Sequence, residues 1–235
     1  MQMTQPETNS LGQSVGFRVE NWKPPPIPSG RVMEGRFCRL ERLDPEKHGR
    51  SLFDANAVDA LGAMWTYLPY GPFPEFEGYL AWLTARAKVP DTIFYAIVDR
   101  STGRALGVAS YLRIDPAAGS IEVGHLAYSP LLQRTPAATE AMQLMMTRAF
   151  DLGYRRYEWK CDALNAPSAA AARRLGFVFE GIFRQAWVVK GRNRDSAWFS
   201  ILDHEWPRLR DRFERWLAPA NFDDNGRQRA PLSAC

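Results

Sequence analysis

Residues 120–140 read SIEVGHLAYSPLLQRTPAATE, a strand pattern followed at once by a helix start. Thr135 is a favourable N-cap residue, and Pro136 suits the first helical position, where the missing N–H is not needed. The two alanines that follow are small. Such a start presents backbone N–H groups and a positive dipole end, and Arg134 beside it adds a cation. We therefore expect this turn to bind a phosphate group.

The sequence upstream of this stretch has the pattern of an antiparallel meander. Three strands are predicted, at Ile93–Val98, Ala105–Ile114 and Ser120–Tyr128. Turn residues separate them at 101–103 and 115–116. Further upstream we predict a strand (Arg36–Leu43), a helix opened by Asp44-Pro45 that runs to Phe53, an aromatic loop (Met64–Phe73) and a helix (Pro74–Lys88).

Downstream, helices and strands alternate. We predict helix Pro136–Leu152, strand Arg156–Cys161, helix Ala166–Leu175, strands Phe177–Arg184 and Ser196–Leu202, and helix Glu205–Leu217. A meander followed by a β-α-β-α-β half indicates the α/β class, with one mixed sheet.

Composition restricts the class of protein. The chain has 235 residues, of which 46% are hydrophobic and 24% charged, and this mixture excludes disorder of the whole chain. No apolar stretch is long enough to span a bilayer, so we expect no membrane partner. The net charge of +4 favours an anionic ligand, but no basic helix or stacking motif indicates nucleic acid.

Three cysteines, Cys38, Cys161 and Cys235, form no C-x-x-C pair and are odd in number. A disulfide scaffold or a structural zinc site is therefore a poor fit, and we expect a cytoplasmic location. The three histidines are too scattered to indicate a metal site.

Three regions are predicted from proline content and polarity. Residues 1–30 contain Pro24-Pro25-Pro26-Ile27-Pro28 and are expected to form an extended proline-rich arm without a secretory signal. Residues 31–217 should form the folded domain. Residues 218–235 are polar and are expected to be a flexible tail.

Four blocks of sequence resemble those of one family. They are Glu122-Val123-Gly124-His125-Leu126; Gln133–Ala138; Asn165-x-x-Ser168 followed by Leu175-Gly176-Phe177; and Glu180–Ala186. In this order and spacing they resemble the GNAT acetyltransferase superfamily, in the branch with the ribosomal-protein N-terminal acetyltransferases. The resemblance covers about residues 36–202. It implies the GNAT fold, in which two neighbouring strands splay around an acetyl-CoA cleft.

The resemblance also implies acetyl-CoA as cosubstrate and assigns residues to it. The expected contacts are Leu126, Ala127 and Tyr128 through their backbone; Gln133, Arg134, Thr135, Ala137 and Ala138 at the pyrophosphate; and Asn165 at the pantetheine arm. Pro136 stands where the family usually has glycine, and it lacks one N–H donor. We expect a working acetyl-CoA site with altered affinity.

Catalytic roles follow from the same resemblance. Glu122 is the expected general base, either directly or through a water molecule, with a structural ion pair as the alternative role. Ser168 is expected to protonate or hydrogen-bond the leaving thiolate, and Tyr128 offers a second hydroxyl. His125 takes an aromatic position of the family, where packing is favoured over catalysis.

The acceptor side depends on the aromatic loop. Trp65, Tyr67 and Tyr70 could line an amine pocket together with His125, Arg184 and Gln185, or could simply cover the core. The expected function is transfer of acetyl to a primary amine: a protein N-terminus, an amino acid or aminoacyl conjugate, or another small amine. The alternative is a non-catalytic acyl-CoA-binding module. Both a monomer and a homodimer are compatible with the sequence.

Overall fold

An eight-stranded sheet lies at the centre of the computed structural model, which describes residues 5–235. The strands are β1 (Glu7–Thr8), β2 (Ser14–Val15), β3 (Met33–Glu34), β4 (Cys38–Arg42), β5 (Ile93–Asp99), β6 (Ala105–Asp115), β7 (Ser120–Tyr128), β8 (Arg156–Asp162), β9 (Val178–Val189) and β10 (Arg192–Leu202). The α-helices are α1 (Pro45–Asn56), α2 (Phe76–Ala87), α3 (Pro136–Asp151), α4 (Ala166–Leu175) and α5 (Trp206–Leu217).

The main sheet has the order β3-β4-β5-β6-β7-β8-β10-β9, and β1 pairs with β2 in a separate small hairpin. Within the main sheet, β7 and β8 run parallel and the other neighbouring pairs run antiparallel. The predicted mixed α/β sheet, with its meander and β-α-β-α-β half, is confirmed.

Both helix starts that the sequence indicates have the expected caps. Thr135 Oγ1 accepts the backbone N–H of Ala138 at 3.2 Å at the start of α3. Asn165 Oδ1 accepts the backbone N–H of Ser168 at 3.1 Å at the start of α4. No helix within residues 5–235 combines the length and the apolar character needed to cross a bilayer.

Helices cover the sheet on both faces, and β5 shows how the sequence divides them. Tyr95 and Ile97 belong to the larger core cluster, which includes residues of α3, α4 and α5. Phe94 and Ala96, one residue out of phase, belong to the smaller cluster with residues of α1 and α2. Successive side chains of a strand point to opposite faces, so β5 is apolar throughout and buried on both sides.

A buried carboxylate ties α3 to the backbone at the start of β4. Glu140 is 3% exposed and accepts backbone N–H groups from Arg36, Phe37 and Cys38 at 2.7, 2.6 and 2.8 Å. These donors precede or open β4, so the start of α3 is tied to the N-terminal half of the domain. The turn before α3 is thereby held in place.

The parallel strands β7 and β8 separate along their length. Their pairing covers only Ser120–Val123 against Arg156–Trp159. From Gly124 onward β7 pairs with β6 alone, while β8 continues against β10. A register shift in the β6–β7 pairing marks a bulge, and His125 there has a positive φ of 51°. The gap expected between the two splayed strands is therefore present in the backbone.

The hairpin of β9 and β10 is longer than its sequence pattern indicates. The predicted strands ended at Arg184 and began again at Ser196, whereas pairing continues to a turn at Lys190-Gly191. Both turn residues have positive φ, 50° and 73°, which is the geometry of a two-residue hairpin turn. A register shift between Arg194 and Ser196 interrupts the alternation and hid the strand pattern.

The terminal segments differ in how well they match expectation. The described part of the arm forms the small β1–β2 hairpin and then a segment without regular structure in which Pro25 and Pro28 are buried, and residues 1–4 lie outside the described part. The expectation of a flexible tail is wrong, because Leu232 is 1% exposed in the main core cluster. Asn221 also accepts the N–H of Ala230 at 2.8 Å, which folds the tail back on itself. The domain boundaries at 31 and 217 stay predictions.

Candidate active site

A cavity of about 430 Å³ lies beside the gap between β7 and β8. It is lined by residues from the acceptor loop, defined as residues 64–73, and from β7, β8, the start of α4 and the β9–β10 hairpin. Its lining includes Tyr67, Glu122, Gly124, His125, Leu126, Trp159, Lys160, Cys161, Asp162, Asn165, Ser168, Phe183, Ala186, Trp187, Arg194, Ser196 and Trp198. We call it the acceptor cavity.

Glu122 lies in this cavity with cations at both carboxylate oxygens. Arg113 Nη1 donates to Oε1 at 2.7 Å, and Lys160 Nζ lies 2.8 Å from Oε2. Lys160 also pairs with Glu158 at 2.9 Å, and its Nζ lies 3.6 Å from the centre of the Trp198 ring. Glu122 is 3% exposed. The ion pairs that the sequence left as an alternative are present, and the carboxylate still faces the cavity.

The bulge in β7 directs His125 to the same cavity as Glu122. Strict alternation would place side chains three residues apart on opposite faces, and the bulge removes that conflict. His125 Nδ1 lies 3.1 Å from the Tyr70 hydroxyl, and its ring packs against Phe94. Burial, together with the charges of Arg86 and Arg113, lowers the pKa of His125 to about 4. The imidazole is therefore neutral at physiological pH.

Two aromatic residues of the acceptor loop differ in position: Trp65 lies in the core and Tyr67 lies at the cavity. Trp65 is 4% exposed and packs edge-on against Phe73 and Tyr70, with ring centroids 5.4 and 6.1 Å apart. It does not line the cavity, so its predicted substrate contact is corrected to core packing. Tyr67 does line the cavity, and its hydroxyl donates to Leu164 O at 3.1 Å. Tyr70 lies behind His125 and reaches the site only through that hydrogen bond.

The β9–β10 hairpin lies over the cavity, but not through the two residues predicted. Arg184 and Gln185 fall in the irregular part of β9, where the Gln185 N–H donates to Asp195 Oδ1 at 2.7 Å. Neither lines the cavity, whereas Phe183, Ala186 and Trp187 do. At the hairpin tip, Lys190 Nζ donates to Trp65 O at 2.8 Å. The hairpin is thus anchored on the acceptor loop.

Ser168 and Asn165 lie together at the start of α4, where both line the cavity. Trp159 Nε1 donates to Ser168 Oγ at 3.0 Å, so the serine proton remains available for another acceptor. Asn165 Oδ1 caps α4, which leaves its amide NH₂ as the group that can bind a ligand. Burial raises the pKa of the neighbouring Cys161 thiol, an effect that the Ser168 hydroxyl opposes.

Residues 133–138, which we call the phosphate loop, retain only part of the expected donor set. Thr135 N–H donates to Leu132 O at 3.3 Å, and Ala138 N–H is used by the Thr135 cap. Arg134 and Ala137 keep the unused N–H groups among the described residues, since Ala137 lies in the first turn of α3. Arg134 is exposed and has a positive φ of 62°. The loop therefore offers two unused N–H groups and one guanidinium.

Tyr128 does not offer the second hydroxyl that the sequence suggested. Its hydroxyl is buried, and it has no hydrogen-bond partner in residues 5–235. Burial raises the pKa of Tyr128 well above its usual value, and the side chain packs against the main core. The predicted backbone contacts of Leu126, Ala127 and Tyr128 lie along the unpaired edge of β7, and they stay predictions.

Several cavity residues were not found from the sequence: Arg113, Lys160, Asp162, Arg194, Ser196, Trp187 and Trp198. Lys160 and Trp198 are direct cross-strand partners, so a correct β8–β10 register would have placed them together. That register depends on the long hairpin and its bulge, which local sequence patterns do not reveal.

A strand pair that splays beside a capped helix start, with a cavity at the gap, is the arrangement that the resemblance to the acetyltransferases implies. The chain belongs to the GNAT acetyltransferase family: the model for the acetyltransferase (GNAT) domain matches residues 45–178. N-acetyltransferase activity is the activity that this membership supports.

Solved structures agree with this assignment. A GCN5-related N-acetyltransferase from Brucella melitensis is 48% identical, with a TM-score of 0.90 over 92% of this chain and 98% of that one. A probable GNAT-family acetyltransferase from Chromobacterium violaceum is 44% identical, with a TM-score of 0.77 over 82% and 96%. An acetyl transferase from Salmonella typhimurium, described as modifying the N-terminal serine of a 50S ribosomal subunit protein, shares the fold at 20% identity and a TM-score of 0.62 over 73% and 99%.

A curated relative also matches. The uncharacterized N-acetyltransferase p20 of Bacillus licheniformis is 30% identical over 117 residues, which are 48% of this chain. The match spans 63% of the length of that relative.

Proposed function

We propose that the protein transfers acetyl from acetyl-CoA to a primary amine held in the acceptor cavity, by direct attack of the amine. The observation that carries the proposal is the position of the cavity, which lies directly beside the β7–β8 gap. Acetyl-CoA supplies an activated thioester: the amine nitrogen forms the new bond to the acetyl carbon, and the sulfur leaves with its bonding electron pair. The residues of the chain then have to bind, orient and move one proton.

On the donor side, the phosphate loop binds the pyrophosphate. Arg134 provides the cation, and the N–H groups of Arg134 and Ala137 provide the donors, as helix starts do for anions. The unpaired edge of β7 at 126–128 hydrogen-bonds the pantetheine arm, and the free amide of Asn165 does so from the other side.

Glu122 accepts the proton that the amine loses. Its ion pairs allow this, because Lys160 remains paired with Glu158 when Glu122 becomes neutral. Arg113 has a side chain that is 47% exposed, so solvent compensates for its lost partner. Neither cation is left buried and unpaired after the proton transfer.

Ser168 assists departure of the sulfur by donating its hydroxyl proton in a hydrogen bond. Trp159 already occupies one lone pair of the serine oxygen, which directs the O–H elsewhere. Cys161 also faces the cavity, but burial raises the pKa of its thiol, and a thiol is a poor nucleophile compared with a thiolate. An acetyl-cysteine intermediate is therefore disfavoured, and transfer is direct.

Initial-rate kinetics test this mechanism. Release of free CoA thiol is measured against both substrates, with a panel of small amines, amino acids and N-terminal peptides as acceptors. Direct transfer predicts intersecting double-reciprocal lines and full activity in Cys161→Ala, whereas a covalent intermediate gives parallel lines. Binding of acetyl-CoA without thiol release for any amine would identify a non-catalytic acyl-CoA-binding module instead.

A further inference from the structure

Two polar groups of β10 face the acceptor cavity without any partner among residues 5–235. Arg194 Nε and Ser196 Oγ are both buried and make no hydrogen bond there. Ser196 is only 2% exposed as a residue. Buried polar atoms in folded proteins are nearly always hydrogen-bonded, so an unpaired pair on one wall of a cavity indicates a ligand position.

The charged side chains of the cavity indicate which charges that ligand carries. Arg113 and Lys160 are neutralised by Glu122 and Glu158. Among the described residues, neither Arg194 nor Asp162 of the cavity lies within ion-pair distance of an opposite charge, so the cavity has one unmatched cation and one unmatched anion. A guanidinium binds a carboxylate through charge-assisted hydrogen bonds in a fixed planar geometry.

We propose that the acceptor amine carries a carboxylate, which Arg194 and Ser196 bind at the hairpin side of the cavity. The inference rests on the proposed N-acetyltransferase function and narrows its acceptor to amino carboxylates. This chemistry is found in free amino acids and in peptides with an acidic residue beside the N-terminus.

The geometry of β10 suits one carboxylate between the two groups. Both side chains line the cavity although a register shift falls between them in the β9 pairing, and Cα atoms two residues apart in an extended strand are roughly 6–7 Å apart. Each oxygen of a carboxylate accepts a hydrogen bond at about 2.8 Å, so one group placed between them satisfies both donors. A neutral amide offers only one oxygen and no charge.

The remaining walls suit the rest of an amino carboxylate. Asp162 is the cross-strand partner of Ser196 and also faces the cavity, so it attracts an ammonium group. One Asp162 oxygen already accepts the Leu164 N–H at 2.9 Å, at the turn that leads into α4 and Ser168. Phe183, Trp187 and Trp198 provide apolar surface for a side chain. The amine end is thereby directed toward the β7–β8 gap.

The test compares acceptors with and without the carboxylate, with kcat/KM expressed per free-base amine because amidation also lowers the pKa of the α-amine. L-Phenylalanine is compared with L-phenylalaninamide, and a peptide with aspartate at its second position with the same peptide carrying asparagine. We expect kcat/KM of the wild type to be at least tenfold higher for the acid of the preferred pair. In Arg194→Gln the ratio should fall to near one, and Arg194→Lys should recover part of it. The pair that shows the preference identifies the source of the carboxylate.

Binding gives a readout independent of turnover. Calorimetry with the acetylated acid of the preferred pair should show at least tenfold weaker binding to Arg194→Gln and a smaller loss for Ser196→Ala. Arg192→Gln, an exposed arginine on the same strand, should bind like the wild type.

Equal kcat/KM values for the acid and the amide in the wild type would overturn the inference. Unchanged product binding in both Arg194→Gln and Ser196→Ala would also overturn it, because a buried water would then be the partner of these groups. Acetylation of neutral amines in either case leaves the proposed function standing. If Arg194→Gln does not fold, the inference is still tested by the wild-type ratio of kcat/KM for acid over amide and by product binding to Ser196→Ala.

Discussion

Trp65 and Tyr67 are two residues apart in the acceptor loop, and the sequence treats them alike. In the structure Trp65 is enclosed by aromatic rings, while Tyr67 contacts the cavity. Gly71 is part of the reason, because it has a φ of 67° and a Cβ there would lie 2.7 Å from the Trp65 ring. The loop closes on Trp65 at a position that only glycine allows.

Trp65→Ala should destabilise the protein rather than impair acceptor binding. Removing a buried tryptophan leaves a cavity and costs about 3–5 kcal/mol of unfolding free energy. Chemical denaturation measures this loss, and the acceptor KM of the folded fraction should stay close to that of the wild type. Tyr67→Phe is the matched control, with about 1 kcal/mol expected from one lost hydrogen bond. A raised acceptor KM with unchanged stability in Trp65→Ala would contradict this assignment and show that Trp65 contacts the acceptor.

His125 should make the protein sensitive to acid. Its pKa is about 4 in the folded state and 6.5 when unperturbed, so between these values only the unfolded chain binds the proton. Stability is therefore fully present above pH 6.5 and falls by about 3 kcal/mol as the pH drops to 4. His125→Asn cannot titrate and tolerates the positive φ. Denaturation at several pH values should show a smaller acid loss in this variant, and equal slopes would contradict the assignment.

Glu122 and Glu158 pair with the same lysine, but only Glu122 lines the cavity. Glu122→Gln should reduce kcat at least tenfold, most strongly at low pH, where the amine is protonated and a base is most needed. Glu34→Gln removes the exposed Glu34–Arg100 ion pair, touches neither Lys160 nor the cavity, and should leave the pH profile of kcat unchanged. Indistinguishable profiles for the two variants would leave Glu122 with a purely structural role.

At the scale of elements, the sequence predicts most of the sheet well and the β9–β10 side of the acceptor cavity poorly. β7 and α4 have the predicted bounds, because turn residues at 115–116 precede the strand and clear caps mark the helix. The β9–β10 hairpin was cut short because its register shift breaks the alternation and its exposed apolar residues resemble neither a core strand nor a loop. Arg194 lies on that missed segment and Ser196 opens the predicted strand that follows it, so the carboxylate subsite that we propose could not be found from the sequence.

The phosphate loop makes a prediction about charge. Arg134→Glu should weaken acetyl-CoA binding at least tenfold in calorimetry, because it replaces the loop's cation with an anion facing the pyrophosphate. Arg192→Glu changes the net charge equally at the exposed hairpin tip and should bind acetyl-CoA normally. Equal acetyl-CoA affinities in the two variants would show that the pyrophosphate does not bind at this loop.

At the scale of the whole molecule, the site is assembled from segments far apart in the chain. The acceptor loop, β7, the start of α4 and the hairpin each contribute one wall, and Lys190 joins the last to the first. The family blocks in the sequence identify the donor half that we propose, since members of the family share acetyl-CoA as a substrate. The acceptor half depends on long-range packing, which no local pattern encodes.

Acetyl transfer inside the acceptor cavity is the central claim, and a blocking substitution tests it most directly. Ala186 lines the cavity, whereas Val188 on the same strand does not and is 79% exposed. The measurement is kcat/KM for amine-dependent thiol release in Ala186→Trp and Val188→Trp. We predict at least a tenfold loss in Ala186→Trp, wild-type values in Val188→Trp, and normal acetyl-CoA affinity in both. Wild-type turnover in Ala186→Trp would contradict the account.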